Sequence, residues 1–357
     1  MRIKYLSIFF LFFGCSTLKF IKYEKEKELR TNAEFEKQVI VKEFEPVAEI
    51  LVVPEVVPKD ESFQLNHKKS DSSIKISLKK EIKKKQSGSN KILNFKTDTV
   101  QSVPLVRQPE IENNEGFNGQ RRPANDPFKT GERTTHAVSY FGAQAAIMNL
   151  EILPLIEVNS KKSYHFDLKL KTSRLFSSFY SVDNRVETFI DFDLLVPVVH
   201  KYNARESGKL VQSNSFFDHE KLVAQFWEKK YTEKNGEEKK ELKWKILPFS
   251  QNAFSAIFYI RIFPWTIGQE YTFRVADDEK NIVFKGKAIA KEKLSTDAGE
   301  FNAIKIKSTV VSRGALTQAG DLYVWLSDDD RKIVLRLEAE IKIGKIVSEI
   351  SEYKAGK

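Results

Sequence analysis

The chain has 357 residues, 41% of them hydrophobic and 30% charged, and a formal net charge of +10. That length allows two or three domains of ordinary size, and a single cysteine excludes an internal disulfide. The 27 Phe, 11 Tyr and 4 Trp stand against 2 Met, a bias towards side chains that suit pleated, half-buried surfaces, so sheet is favoured over helix.

At the N-terminus Arg2 and Lys4 precede a mostly apolar run, Tyr5 to Phe13, broken only by Ser7 and followed by Gly14 and Cys15. This is the order of a secretory signal. The run falls well short of the roughly 20 residues that span a bilayer. The stretch from Leu11 to Cys15 resembles a bacterial lipobox, in which a small residue precedes a cysteine whose thiol receives diacylglycerol. Gly14 and Cys15 match that pattern, whereas Phe12 and Phe13 stand where it usually has Leu and a small residue. Ser16 resembles the outer-membrane sorting pattern. The expectation is a signal peptide over 1–14 and a lipid on Cys15, with the protein exported and anchored at the periplasmic face of the outer membrane. A signal peptide cleaved elsewhere, or an uncleaved anchor, is the alternative.

Residues 15–127 read as a long, disordered, low-complexity tether. Charges of both signs alternate closely from Lys19 to Glu45, and Pro46, Pro54 and Pro58 then flank an apolar stretch and favour an extended chain. The region from Lys68 to Lys96 is strongly basic, with Lys68, Lys69, Lys79, Lys80, Lys83, Lys84 and Lys85 against Asp71 and Glu81. Such runs repel themselves and usually stay solvated. A contact with anionic lipid or an acidic cell-wall polymer is the functional alternative. Nucleic acid is not expected as a partner, because the chain carries an export signal and no aromatic residues interleave with these lysines as stacking platforms. Asn113 to Asp126 is rich in turn residues and reads as a loop.

From about 128 to 354 the pattern is that of a β-rich globular domain. Tyr164, Phe166, Leu168 and Leu170 alternate with polar residues, as do Ile333, Leu335, Leu337, Ala339, Ile341 and Ile343, which predicts strands with one wet face. Polar turns at Asp277–Asn281, at Ser327–Arg331 and at Gly344-Lys345 join such strands into hairpins. Phe254, Ile257, Phe258 and Ile262 follow helical spacing, and Pro264 ends that helix. Ser173 to Tyr180 reads as a short helix or a bent strand. The expected fold is mainly β: a curved antiparallel sheet or an open, partial β-barrel with one or two short helices.

Several of these residues together carry a family resemblance. Phe128-Lys-Thr-Gly131-Glu132 leading to Val138-Ser-Tyr140-Phe-Gly142, Tyr180-Ser-Val-Asp183 with Glu187, Phe254 to Arg261, and Trp325-Leu-Ser-Asp328-Asp329 occur in an order that resembles the bacterial domain-of-unknown-function family 3108. The resemblance implies an exported, β-rich domain and brings no catalytic residues with it.

The candidate chemistry is sparse. Asp328-Asp329-Asp330 lack the alternating oxygen ligands of a calcium loop and read as turn residues. His67, His136, His165, His200 and His219 show no zinc-type spacing, so neither a metal nor a cofactor is expected. Asp183, Glu187, Asp191 and Asp193 share a strand with Arg185 as an adequate partner. Arg261 lies inside an apolar stretch, where a charge must pair or reach solvent; it is a candidate for a structural ion pair or for an anion site. The leading functional expectation is a non-enzymatic envelope lipoprotein that binds an apolar ligand or an envelope partner. A scaffolding protein contacting cell-wall polymer, and a hydrolase using carboxylates, are the alternatives.

Overall fold

The structure, a computed structural model, describes residues 32–44, 121–312, 315–316, 321–340 and 344–357. The signal segment, Cys15 and the lysines from Lys68 to Lys85 lie outside the described residues. No helix among the described residues is long and apolar enough to cross a membrane.

A short helix α1 (Ala33–Gln38) and strand β1 (Val41–Glu43) come first. Two antiparallel meanders follow. The first is β2 (Arg133–Tyr140), β3 (Ala143–Val158), β4 (Lys161–Thr172), β5 (Val182–Asp191), β6 (Pro197–Glu206), β7 (Lys209–Asp218), β8 (Val223–Thr232) and β9 (Gly236–Lys245). The second is β10 (Glu270–Asp277), β11 (Lys280–Thr296), β12 (Gly299–Ser312), β13 (Ala315–Leu316), β14 (Leu322–Ser327), β15 (Val334–Glu340) and β16 (Lys345–Lys354). Pairing of β16 with β2 fuses them into one sheet that runs from β10 to β9. Helix α2 (Arg174–Ser177) sits between β4 and β5, and α3 (Ser255–Tyr259) runs into a 3₁₀ turn over Ile260–Ile262 in the crossover between the meanders.

The sheet is open, because its edge strands β9 and β10 share no ladder. The chain leaving β9 crosses to β10 and β11 through side-chain bonds, Asn281 to Lys245 O at 3.0 Å and Arg274 to Pro248 O at 3.1 Å, and through one backbone bridge. Gln251 N–H donates to Arg274 O at 2.8 Å and Ala276 N–H donates to Gln251 O at 2.7 Å, a single parallel bridge onto β10. Lys240 of β9 faces Asp278 of the β10–β11 turn at 3.6 Å.

The main core lies on the concave face, against the crossover segment. Phe166 stacks on Phe258 at 4.0 Å, Phe263 on Tyr271 at 4.7 Å and Phe273 on Phe284 at 4.5 Å. Trp265 closes this stack and donates its indole N–H to Ile260 O at 2.8 Å. A Cβ on Gly286 would sit 2.9 Å from the Trp265 ring, so only glycine lets β11 pass beneath it.

Two expectations from sequence are corrected. The alternation from Ile333 onward does not keep one face inward. A register shift opposite Trp325 and Leu326 inserts an extra residue near Leu335. Val334 therefore joins the main core, while Ile333 and Leu335 join a separate cluster with Trp325 and Ile350. A β-bulge reverses the side-chain alternation where it occurs. The other correction concerns the tether, because two pieces of 15–127 belong to the folded unit. Phe35 and Val39 of the α1 segment are buried against Val158, Phe189, Val199 and Trp227 on the outer face, and β1 adds to the end of β3. At the other end of that span, Arg121 is among the most deeply buried side chains of the described residues.

Candidate functional site

The two ends of the curved sheet differ in how they are filled. One end is sealed by the 121–132 segment and the crossover. Arg121, 1% exposed, donates to Leu194 O at 2.6 Å and to the Tyr259 hydroxyl at 2.7 Å, and its guanidinium lies 4.0 Å over the Phe249 ring. Arg122 bonds Phe192 O and Asp126, both at 2.6 Å, and Tyr164 donates its hydroxyl proton to the same Asp126. Burial, together with Asp126, pushes the Tyr164 phenol well above its ordinary pKa, so it stays a donor.

Arg261 lies in this seal, 3% exposed. It pairs with the buried Glu132 at 2.8 Å, and Arg331 pairs with the other oxygen of the same carboxylate. Its Nε and Nη2 N–H groups donate to Pro127 O at 3.1 Å and to Arg331 O at 2.9 and 3.2 Å. Protein acceptors thus occupy Nε, Nη1 and Nη2, which suits a structural clamp rather than a place for an incoming anion.

The other candidates from sequence are held by protein partners, Asp191 buried, Glu187 half-buried, Asp183 and Asp329 exposed. Glu187 accepts from His165 at 3.0 Å and Arg185 at 3.1 Å. Burial opposes its charge, but these two partners outweigh that and hold its carboxyl below the ordinary value. Asp183 pairs with Lys171, and Asp191 accepts from the backbone N–H groups of Asp193 and Leu194. Asp329 caps its turn by accepting from Arg331 N–H and Lys332 N–H, both at 3.0 Å. Among the described residues no three His, Cys, Asp or Glu side chains are grouped as metal ligands would be.

The opposite half of the concave face holds a cavity of about 300 Å³, between β6–β9 and the chain at 252–254 and 276–278. The register explains its lining. Tyr202 faces Ser213, and Ser213 faces Glu228; His200 faces Ser215, then Phe226, then Leu242. Cross-strand partners share a face, so these side chains line one wall. Phe217, Trp244 and Phe254 complete the apolar part, and Lys209, Lys230 and Asp278 stand at its polar end. His200 stacks on Phe254 at 4.9 Å.

Two buried polar atoms of this wall have no hydrogen-bond partner: His200 Nδ1 and the indole Nε1 of Trp244. Burial drops the His200 pKa to about 4, so the ring is neutral. Burial, reinforced by Asp278, raises Asp277 to about 6. Beside the cavity, Glu206 accepts from Tyr180 at 2.9 Å, from Asn184 at 3.1 Å and from Lys209 at 3.4 Å. Burial and this carboxylate push both Tyr180 and Tyr202 well above the ordinary phenol value.

Apart from His200, one of five histidines, the cavity residues stand at no catalytic spacing in the sequence. The available signal was compositional. Ser213, Ser215, Glu228 and Lys230 alternate with outward residues on what register makes the concave face, where a filled core would carry aliphatic side chains.

An open antiparallel sheet, one sealed end and a cavity near the unpaired edges define a mainly β protein. The chain belongs to the DUF3108 family, described as a protein of unknown function, whose pattern matches residues 135–351. No curated protein matches the sequence. Among solved structures, the chain is similar to a "beta-barrel-like protein" of family DUF1849 from Brucella abortus, at 9% identity and a TM-score of 0.39, covering 63% of this chain and 97% of the other. It is similar also to a "putative lipoprotein" from Parabacteroides distasonis, at 11% identity and a TM-score of 0.29, covering 64% and 99%. A "putative exported protein with YmcC-like fold" from Bacteroides fragilis shares 13% identity with a TM-score of 0.28, covering 65% and 99%.

Proposed function

We propose that this protein is an exported, lipid-anchored envelope protein that binds an amphipathic small molecule in the β6–β9 cavity without transforming it chemically. The observation that carries the reading is the cavity wall itself. It combines Phe217, Phe226, Phe254 and Leu242 with two buried polar atoms, His200 Nδ1 and Trp244 Nε1, that lack protein partners. Leaving buried polar groups unbonded costs roughly 1–3 kcal/mol each, and an apolar ligand with hydroxyl-type groups, which accept from the Trp244 N–H and either donate to or accept from His200 according to its tautomer, would recover that cost. Pockets of this size with a few convergent polar groups are the usual form of small-molecule sites.

Export and anchoring rest on Arg2, Lys4, the apolar run to Phe13, and Gly14-Cys15. Cys15 would carry the lipid, and several acyl chains there would give stable attachment to the periplasmic face of the outer membrane. Lys68, Lys69, Lys79, Lys80 and Lys83 to Lys85 would add a contact with anionic lipid or cell-wall polymer.

The test is mass spectrometry of solvent extracts from the full chain purified out of bacterial envelopes, beside a Ser213→Trp variant that fills the cavity. A defined amphipath in the wild-type extract, depleted in Ser213→Trp, is expected. Extracts with no such molecule, or with equal amounts from both proteins, would falsify the binding reading.

A further inference from the structure

Three large apolar side chains stand out at the end of the sheet away from the Arg261 seal. Phe141 is 68% exposed, Leu175 70% and Phe179 77%. They belong to two adjacent connections. Phe141 forms the two-residue β2–β3 turn with Gly142, while Leu175 and Phe179 lie on or just after α2, between β4 and β5. These connections touch: Ser173, at the start of α2, donates its N–H to Ala145 O at 2.9 Å and its hydroxyl to Gln144 O at 3.1 Å.

Phe141 is unusual in backbone as well as exposure. Its φ is +50° and that of Gly142 is +77°, the paired left-handed geometry of a tight hairpin turn. Asn, Asp or Gly fills such a place with least strain, and a bulky aromatic there is an outlier. The β3–β4 turn, by contrast, meets the same demand with Asn159 and Ser160, and the β10–β11 turn with Asp278 and Glu279. The ring packs on Tyr140 at 4.4 Å, and a Cβ on Gly344 would come within 3.0 Å of it. The surroundings therefore hold a strained, exposed phenylalanine in place although folding gains little from its burial.

We propose that Phe141, Leu175 and Phe179 are the anchors of a membrane-docking rim that inserts into the headgroup boundary of an anionic bilayer. Three features select a lipid surface as the occupant. The side chains protrude singly from turns instead of forming a flat face, which suits a deformable partner. Exposed Arg174 stands at the same end, beside the ion pairs Lys171–Asp183 and Lys345–Glu338, whose lysines can exchange a carboxylate for a headgroup phosphate. Anionic headgroups attract such residues. Finally, the chain from Cys15 to Asn32 reaches at most about 60 Å fully extended, so a lipid on Cys15 would keep the folded unit close to the bilayer. This last point rests on the anchoring reading above, whereas the rim does not need the lipid to bind.

The rim also gives the concave face a place to meet lipid. Tyr140, Ile346, Ala339 and Leu322 follow one another across β2, β16, β15 and β14, so they share the inner face just behind the Phe141 turn. Tyr140 and Leu322 are only partly buried against the core there.

The experiment uses the full chain with Cys15→Ser, so that no lipid can be attached and a single introduced cysteine can be labelled. An environment-sensitive fluorophore is placed at Phe179→Cys and, as a control at the opposite end, at Asp297→Cys in the β11–β12 turn. Vesicles of phosphatidylethanolamine and phosphatidylglycerol are added, with brominated acyl chains as quenchers. The label at 179 is expected to brighten several-fold and be quenched by the brominated lipid, while the label at 297 stays as in buffer. A triple variant, Phe141→Ser, Leu175→Ser and Phe179→Ser, should melt as the parent does and bind weaker by at least about a hundredfold. A silent label at 179, whether or not the protein sediments with the vesicles, overturns the proposal, as does equal response at 297 or unaltered binding by the triple variant. Brightening at 179 without vesicles as protein concentration rises would assign the patch to a second copy of the chain and also overturn it. Loss of rim binding would leave the Cys15 anchor and the cavity reading untouched.

Discussion

The sealed end and the cavity half of the same sheet solve opposite problems. At the seal, charged groups are buried and satisfied: Glu132 lies between Arg261 and Arg331, and Arg121 bonds Leu194 O and Tyr259. In the cavity half, neutral polar atoms are buried and unsatisfied, at His200 and Trp244. The contrast separates stability from binding. A group whose donors are taken by protein has little to offer a ligand, while an unmatched one on a cavity-lining residue can take a partner.

The comparison can be broken most severely at Arg261. Arg261→Ala removes one side of a buried pair and leaves the Glu132 carboxylate with Arg331 as its ion-pair partner. A loss of about 3–5 kcal/mol is expected from urea unfolding. Unchanged unfolding together with lost ligand binding would mean that Arg261 serves the ligand after all. A smaller effect, about 1–3 kcal/mol of overpacking, is expected for Gly286→Ala, whose new methyl would press on Trp265, Phe284 and Ile306. Ligand content should not change with it beyond the loss of folded protein.

Acid sharpens the same contrast. Burial holds His136 at about 3 and His200 and His219 at about 4, below the ordinary 6.5. The unfolded chain binds protons to these rings first, so their neutral burial contributes stability that is complete above pH 6.5 and is lost as pH falls towards 4. Asp277, raised from 3.8 to about 6, acts in the opposite sense: its contribution is full below 3.8 and disappears as pH rises through 6. With three histidines against one carboxyl, the urea midpoint should fall between pH 6.5 and 4.5, and His136→Met should flatten that slope. A midpoint that rises over this window contradicts the burial of these rings.

Much of the fold was legible because alternation reports burial directly. Tyr164, Phe166 and Leu168 read as one strand face, and all three are buried on the concave side of β4. The helix ending before Pro264 was visible in the spacing of Phe254, Phe258 and Ile262, although only Ser255–Tyr259 is α-helical and the rest tightens to 3₁₀. The bulge at Leu335 was not legible, since one inserted residue leaves a local pattern intact and reverses its meaning. Nor was the packing of Phe35 and Val39, which depends on an outer-face stripe from four distant strands. Arg261 was legible as a charge needing a partner, while its partner Glu132 lies far away in sequence. The cavity was hardest to read, because a concave wall with serines and lysines resembles a solvated face until register fixes its direction.

The indole N–H groups of the four tryptophans offer the most direct test of the central claim. Trp227 donates to Glu34 at 3.2 Å, Trp265 to Ile260 O at 2.8 Å and Trp325 to Glu292 at 2.5 Å, while Trp244 is buried without an acceptor. In a nitrogen-15 NMR titration of the full chain with a monoacylglycerol, the Trp244 signal should move towards a hydrogen-bonded shift while the other three hold still. A Trp244 signal that stays fixed while the amphipath binds, or that moves no more than the other three, would contradict the cavity as the binding site.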